Sequence, residues 1–302
     1  MVLRVGFVRE HFSTPLLQFL DADQGKTFTL VECPSGTGQL IKRLDGTEEP
    51  QIDIAMQTCL ALLYSALTDP LISGIANGSK AYKLCGSYVS TPLNWAVITG
   101  KDTKYQSIDD LKGTTIGISR LGSGSQTMAY VMALQNGWPT EELKFQINND
   151  IRGLLDSVND GSTSAFMWEW FTTKPFVDAG EGRFIGSVPT PWPSWLIAAH
   201  PSPDRAPVAA VQAFLSKLSE YVQAFEGAGP GRVEVVKAKF GYPEEDIQAW
   251  LKTVSYPQDC LAIPTKVITD TLRVLEKAGV VKAPASGFNV DDFVHKDVVR
   301  LT

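Results

Sequence analysis

Cysteine is scarce in this chain of 302 residues: Cys33, Cys59, Cys85 and Cys260 are scattered, with no C-x-x-C pair. That spacing excludes a zinc ribbon, a dithiol redox motif and a dense disulfide framework, and it favours free thiols in a reducing compartment. Histidine is scarcer still, at three, and no His/Cys/Asp group has metal-ligand spacing, so no metal is expected. No apolar run approaches the ~18 residues of a membrane span, and no charged-then-apolar leader precedes the first strand pattern. A cytoplasmic protein is therefore expected. Basic blocks are absent as well. With 27 Lys and Arg against 33 Asp and Glu the net charge is −6, which argues against a nucleic-acid partner.

Catalytic signatures are also missing. Gly122-Ser123-Gly124 places its glycines wrongly for a nucleophile elbow. Gly25-Lys26-Thr27 mimics the end of a phosphate loop, but Leu20 replaces its first glycine and a strand pattern follows. Gly122-x-Gly124-x-x-Thr127 lacks the third glycine of a dinucleotide fingerprint. A non-enzymatic protein without a cofactor is the expectation.

At 44% hydrophobic residues the chain can build one large or two medium cores. Short apolar runs at 3–8, 27–32, 52–56, 83–86, 95–99, 114–118, 144–147, 164–167 and 183–186 read as strands. Helical patterns at 38–44, 60–65 and 126–135 lie between them, and the alternation predicts an α/β fold with a largely parallel sheet. The last third is helical. Val208, Val211, Leu215, Leu218, Val222 and Phe225 recur at helical spacing, and further helices are predicted over 232–240, 244–253 and 265–277. Two segments, 87–92 and the proline-rich 188–195, read as stiff crossings between lobes, because proline holds itself and its predecessor extended.

Pro34-Ser35-Gly36-Thr37-Gly38 after a strand, the run Ile52-Asp53-Ile54-Ala55, and Ser107-Ile108-Asp109-Asp110-Leu111-Lys112-Gly113 together resemble type 2 periplasmic binding proteins. The similarity is to the branch that binds alkanesulfonates, taurine, nitrate or thiamine-pyrimidine precursors, and to its leaderless, intracellular group with fungal members. Residues 161–170, ending Trp168-Glu169-Trp170, resemble that branch's late strand with an aromatic end facing the cleft. The resemblance covers residues 1–200 and implies a two-lobe, Venus-flytrap α/β fold, each lobe a mixed, mostly parallel sheet flanked by helices. Lobe one would comprise 1–91 and 193–302, and lobe two 92–192. Yeast enzymes that build the thiamine pyrimidine carry a cysteine-dense CCCFC motif, which this sequence lacks.

Candidate ligand contacts follow from where each residue leaves a strand. The loop Ser119 to Ser125 opens a helix, so its N–H groups, with Arg120, Ser123, Gly124 and Ser125, make an anion cradle; a plain N-cap is the competing reading. Thr37 and Gly38 would face that loop, and Gln57 and Thr58 end another strand. Glu10, His11, Ser13 and Thr14 follow the first strand, while Ser90, Thr91 and Asn94 sit in the first crossing. Trp168 and Trp170 would share a strand face as an aromatic wall, with Glu169 accepting from a ligand amine and Trp192 nearby, unless the indoles are core.

The resulting expectation is an intracellular binding protein that closes on a small polar ligand, anionic or aminopyrimidine-like. Two alternatives stand beside it: an enzyme of thiamine-pyrimidine or sulfonate metabolism on the same scaffold, with His11 or Glu169 as base, and a ligand-dependent sensor that recruits a partner protein. Ligand identity, partner and oligomeric state are not legible.

Overall fold

Leu3, Val5 and Phe7 alternate along β1 (Leu3–Phe7) and are buried. This strand pairs in parallel with β2 (Phe28–Glu32) on one side and β3 (Ile54–Ala55) on the other. Helices α1 (Thr14–Asp23) and α2 (Thr37–Asp45) connect them, and α3 (Thr68–Ala76) follows. The computed structural model describes residues 2–33, 37–56 and 67–302; the helix expected over 60–65 and the glycine loop at 34–36 lie outside them.

The chain then runs through β4 (Lys83–Thr99), β5 (Thr115–Ile118), α4 (Gly124–Gln135), β6 (Lys144–Ile147), α5 (Ile151–Asn159), β7 (Ala165–Glu169), α6 (Trp170–Asp178) and β8 (Arg183–Ala199). It ends with α7 (Val208–Gly227), α8 (Gly231–Phe240), α9 (Glu244–Leu251), β9 (Ala262–Ile263), α10 (Thr265–Lys277) and β10 (Arg300–Leu301), where β9 and β10 form a small parallel pair. The expected α7 stripe is in place: Val211, Leu215, Leu218, Val222 and Phe225 are all buried. Each such side chain removed from water contributes about 1.5–3 kcal/mol.

One eight-stranded sheet runs in the order β2-β1-β3-β8-β4-β7-β5-β6. Strands are parallel within each outer trio, and β4 and β8 pair antiparallel between them. Both expected crossings lie inside these 17-residue strands, which corrects the reading of 83–86, 95–99 and 183–186 as short separate strands. The prolines alternate outward: Pro189 and Pro191 are exposed while Thr190, Trp192 and Ser194 are buried. Lacking N–H groups, they break the ladder, and its register shifts around Pro92. Side chains fill the gap, since Thr190 Oγ1 accepts from Leu93 N at 3.0 Å and donates to the Trp192 carbonyl at 2.6 Å.

Register decides where the strand ends fall. Ile54 and Ala55 of β3 lie opposite Ala199 and Ala198, so β3 advances toward the middle of β8. On the other side Phe166 lies opposite Ile98 and Glu169 opposite Trp95, so β7 advances toward the middle of β4. The carboxyl ends of the two parallel trios therefore converge on the central, proline-rich part of the long pair. In open α/β sheets that is where ligands bind.

Candidate functional site

Glu10 follows β1 and begins the 3-10 turn His11–Ser13. Its carbonyl accepts from Ser13 N at 2.8 Å and from the Ser13 hydroxyl at 2.6 Å, and the Thr14 hydroxyl donates to the His11 carbonyl at 2.6 Å. Ser13 and Thr14, expected to grip a ligand, thus hold the turn. The Glu10 carboxylate does not. It is 0% exposed, and neither oxygen has a hydrogen-bond partner among the described residues. Burial first, and then the charge of Glu169, pushes it well above the usual carboxylate range. The two phenols nearby are engaged elsewhere: Tyr88 and Tyr256 both donate to the Phe12 carbonyl at 2.8 Å.

His11 sits among rings, with centroids of Phe12 at 4.4 Å, Trp250 at 4.6 Å, Tyr242 at 5.2 Å and Phe171 at 6.3 Å. Both its nitrogens are buried without a partner among the described residues. Burial pushes the imidazole down to about 3, so it is neutral across the physiological range. The expectation of a cleft histidine becomes that of a neutral ring in an aromatic wall.

Glu169 ends β7 and caps α6, accepting from Thr172 N and Thr172 Oγ1, each at 2.7 Å. Burial raises it, and the Thr172 bonds partly offset that rise. The strand stops here, which corrects the expected pair of indoles on one strand face. Trp170 is the first residue of α6 and stacks on Phe184 at 4.1 Å. Trp168 packs with Ala96, Leu154 and Phe166 in a core cluster, so it is core rather than cleft wall.

The loop after β5 is largely satisfied from within. Ser123 caps α4, its oxygen accepting from Gln126 N at 3.3 Å, and its hydroxyl meets that of Ser125 at 2.8 Å. Ser125 Oγ also accepts from Ser119 N at 3.2 Å, and the Gln126 side chain takes Gly122 N at 2.7 Å. Both serines are buried. These hydroxyls cap the helix, the competing reading of this loop. Gly124 is a point of close approach: a Cβ there would lie 2.9 Å from Leu67 and 3.0 Å from Trp95.

Asp69 was not expected. It lies in the first turn of α3, 1% exposed, with both oxygens lacking partners among the described residues. The Thr127 hydroxyl of α4 and the Trp192 indole lie beside it without closing a hydrogen bond, and lower it slightly; burial dominates and pushes it up to about 7. In sequence, Thr68-Asp69-Pro70 reads only as a helix start, so burial was the missing signal. Trp192, expected to line the cleft, is buried, with its indole N–H unpartnered among the described residues.

Gly38 and Arg120 line one open cleft of about 710 Å³, together with Lys42, Ser73 and Asn77. Thr37 opens α2; Gln57 and Thr58 lie outside the described residues. Ser90 and Thr91 bond to the segment before β9. Ser90 N donates to the Ser255 carbonyl at 2.9 Å, and Thr91 Oγ1 accepts from Ser255 N at 3.2 Å. Asn94 lies opposite Pro189 on the long strand pair. Among the described residues no three His, Cys, Asp or Glu side chains group to hold a metal ion. The arrangement brings buried acceptors from both halves of the sheet to one seam, where they suit a ligand that donates hydrogen bonds.

Two parallel trios facing each other across a long antiparallel pair define the generic periplasmic-binding-protein fold. The Candida albicans CA3427 gene product, which defines a family with that fold, is 31% identical to this chain, covering 100% of it and 98% of its own length with a TM-score of 0.82. The chain belongs to this Ca3427-like family, whose family description, Ca3427-like PBP, matches residues 95–188. More distant structures share the fold. The alkanesulfonate-binding protein SsuA from Xanthomonas axonopodis, bound to MOPS, is 16% identical, covering 99% of this chain and 98% of its own at a TM-score of 0.71. The nitrate-binding protein NrtA from Synechocystis is 14% identical, covering 98% and 86% at 0.69. No curated protein matches the chain in sequence.

Proposed function

We propose that this protein is a hinged two-lobe receptor for a small polar molecule, with lobe one formed by 1–91 and 193–302 and lobe two by 92–192. The observation that carries this reading is the convergence of strand ends on the middle of β4 and β8, with Glu10 buried and unpartnered there among the described residues. A proline-interrupted ladder is the natural place for the bend. A ligand touching both lobes favours the closed state, because only there are all its contacts made. The sulfonate- and nitrate-binding neighbours support a small-molecule ligand. Free, buried Cys33, Cys85 and Cys260 support a reducing compartment, and no described helix is long and apolar enough to cross a membrane.

The test is a melting-temperature screen with propanesulfonate, nitrate, 4-aminopyrimidine and benzamidinium, followed by X-ray scattering. At least one probe is expected to raise Tm and shrink the radius of gyration while remaining chemically unchanged. Stabilisation with an unchanged radius overturns hinge closure, and consumption of a probe favours an enzyme.

A further inference from the structure

We propose that the first turn of α3 is a proton-gated latch between the lobes: it seats against α4 when Asp69 is protonated, so the ligand-free protein closes in acid and opens as that carboxyl ionises. This rests on the receptor reading above and adds a control on closure.

Three successive residues make the contact. Leu67 of lobe one meets Gly124, the first residue of α4 in lobe two, so closely that a Cβ on Gly124 would lie 2.9 Å from it. The absence of a side chain at 124 is what lets the two elements meet. Thr68 Oγ1 donates to the Pro193 carbonyl at 2.6 Å, where β8 passes between the lobes. Asp69 follows at 1% exposure, and neither of its oxygens has a partner among the described residues. An acid in the first turn of a helix is ordinarily wet and favoured there as an anion. Here the groups beside it, Thr127 of α4 and Trp192 of β8, both belong to lobe two.

No charge from the surrounding elements compensates it. Helix α4 carries no charged residue, and its one titratable side chain, Tyr130, packs on Phe145 at 5.4 Å. Arg183 of β8 donates to the carbonyls of Lys101, Thr103 and Tyr105. On α10, which packs on the other side of α3, Asp270 pairs with Arg273 at 2.6 Å and Lys266 at 3.8 Å, while Glu276 and Lys277 are exposed. Lys42 and Arg120 lie on the open cleft.

Parting the lobes returns the carboxyl to water, where it ionises in the ordinary range. Seating it dry favours the protonated form, because nothing there solvates the anion. The direction of the linkage follows. Below the ordinary carboxyl range Asp69 is protonated in both states, and closure is strongest. As pH rises from there toward about 7, closure takes up a proton and loses up to about tenfold in equilibrium constant per pH unit. Above that range the group is ionised in both states and the loss levels off.

The test is X-ray scattering on the ligand-free protein from pH 5 to 8. Wild type is expected to expand across that range and Asp69→Asn to stay compact throughout. Gly124→Leu, which cannot seat the turn, is expected to be expanded at every pH. Wild type that keeps one radius, or wild type and Asp69→Asn expanding alike, overturns the latch. If Asp69→Asn does not fold, Gly124→Leu decides the point: a variant as compact as wild type at pH 5, or one whose radius follows pH as wild type does, overturns it. Propanesulfonate, nitrate, 4-aminopyrimidine and benzamidinium are then added to wild type at pH 8. Compaction by one of these probes, with no response to acid, removes the latch and leaves the receptor reading standing. Compaction by neither acid nor any probe removes both.

Discussion

Asp69 illustrates how burial, rather than residue type, sets the chemistry of a side chain here. Its carboxyl is pushed up to about 7 because it is dry, and the nearby Thr127 and Trp192 only partly compensate. For a raised carboxyl the folded state is favoured when it is protonated. Stability is therefore full below the ordinary carboxylate pKa and is lost as pH rises toward 7. Asp69→Asn removes that loss, so the variant is expected to gain on wild type between pH 4 and 7, by up to about 4 kcal/mol, and to run parallel above it. Denaturant unfolding at several pH values checks this; parallel curves throughout would show the carboxyl to be solvated. Glu10 and Glu169 were legible as residues that leave strand ends. Asp69 was not, because the first turn of a helix is ordinarily wet.

At the scale of elements, β4 and β8 do two jobs. Their outer parts pair with the parallel trios, and their middles carry the prolines that interrupt the ladder. The stretches 87–92 and proline-rich 188–195 read as connectors because proline is rare inside sheets, yet alternation with buried Thr190, Trp192 and Ser194 keeps the second in a strand. Gly86 fixes the C-terminal segment against β4. Ser87 N donates to the Cys260 carbonyl at 2.9 Å, and a Cβ on Gly86 would lie 2.2 Å from that same oxygen. Because the obstacle is backbone, Gly86→Ala is expected to cost about 3 kcal/mol and to raise hydrogen exchange around residues 259–262. Unchanged exchange there would show that the segment moves aside freely.

Across the whole molecule, α6 beside the cleft reaches α9 near the end of the chain. Lys174 meets Asp246 at 3.3 Å, and Phe171 and Tyr242 both contact His11. The ion pair is partly solvated, so Lys174→Gln is expected to change global stability by less than about 1 kcal/mol. Its effect should appear in shape instead: the ligand-free protein should scatter with a larger radius of gyration, more so in low salt, where the native pair is strongest. An unchanged radius would show that the aromatic contacts alone hold the two elements together.

The sequence by itself determined the α/β class, most strand and helix positions, the α7 stripe and the family resemblance. These depend on local periodicity and on the order of motifs along the chain. Which polar residues face one another was decided only by tertiary structure. Packing buries Glu10, Asp69 and Glu169, and local hydrogen bonds absorb Ser13, Ser123 and Ser125 into caps. The serine loop looked like the grip because its donors stand side by side in the chain. Glu10 and Glu169 were also named from where they leave their strands, but their dryness, like that of Asp69, comes only from the water that folding removes.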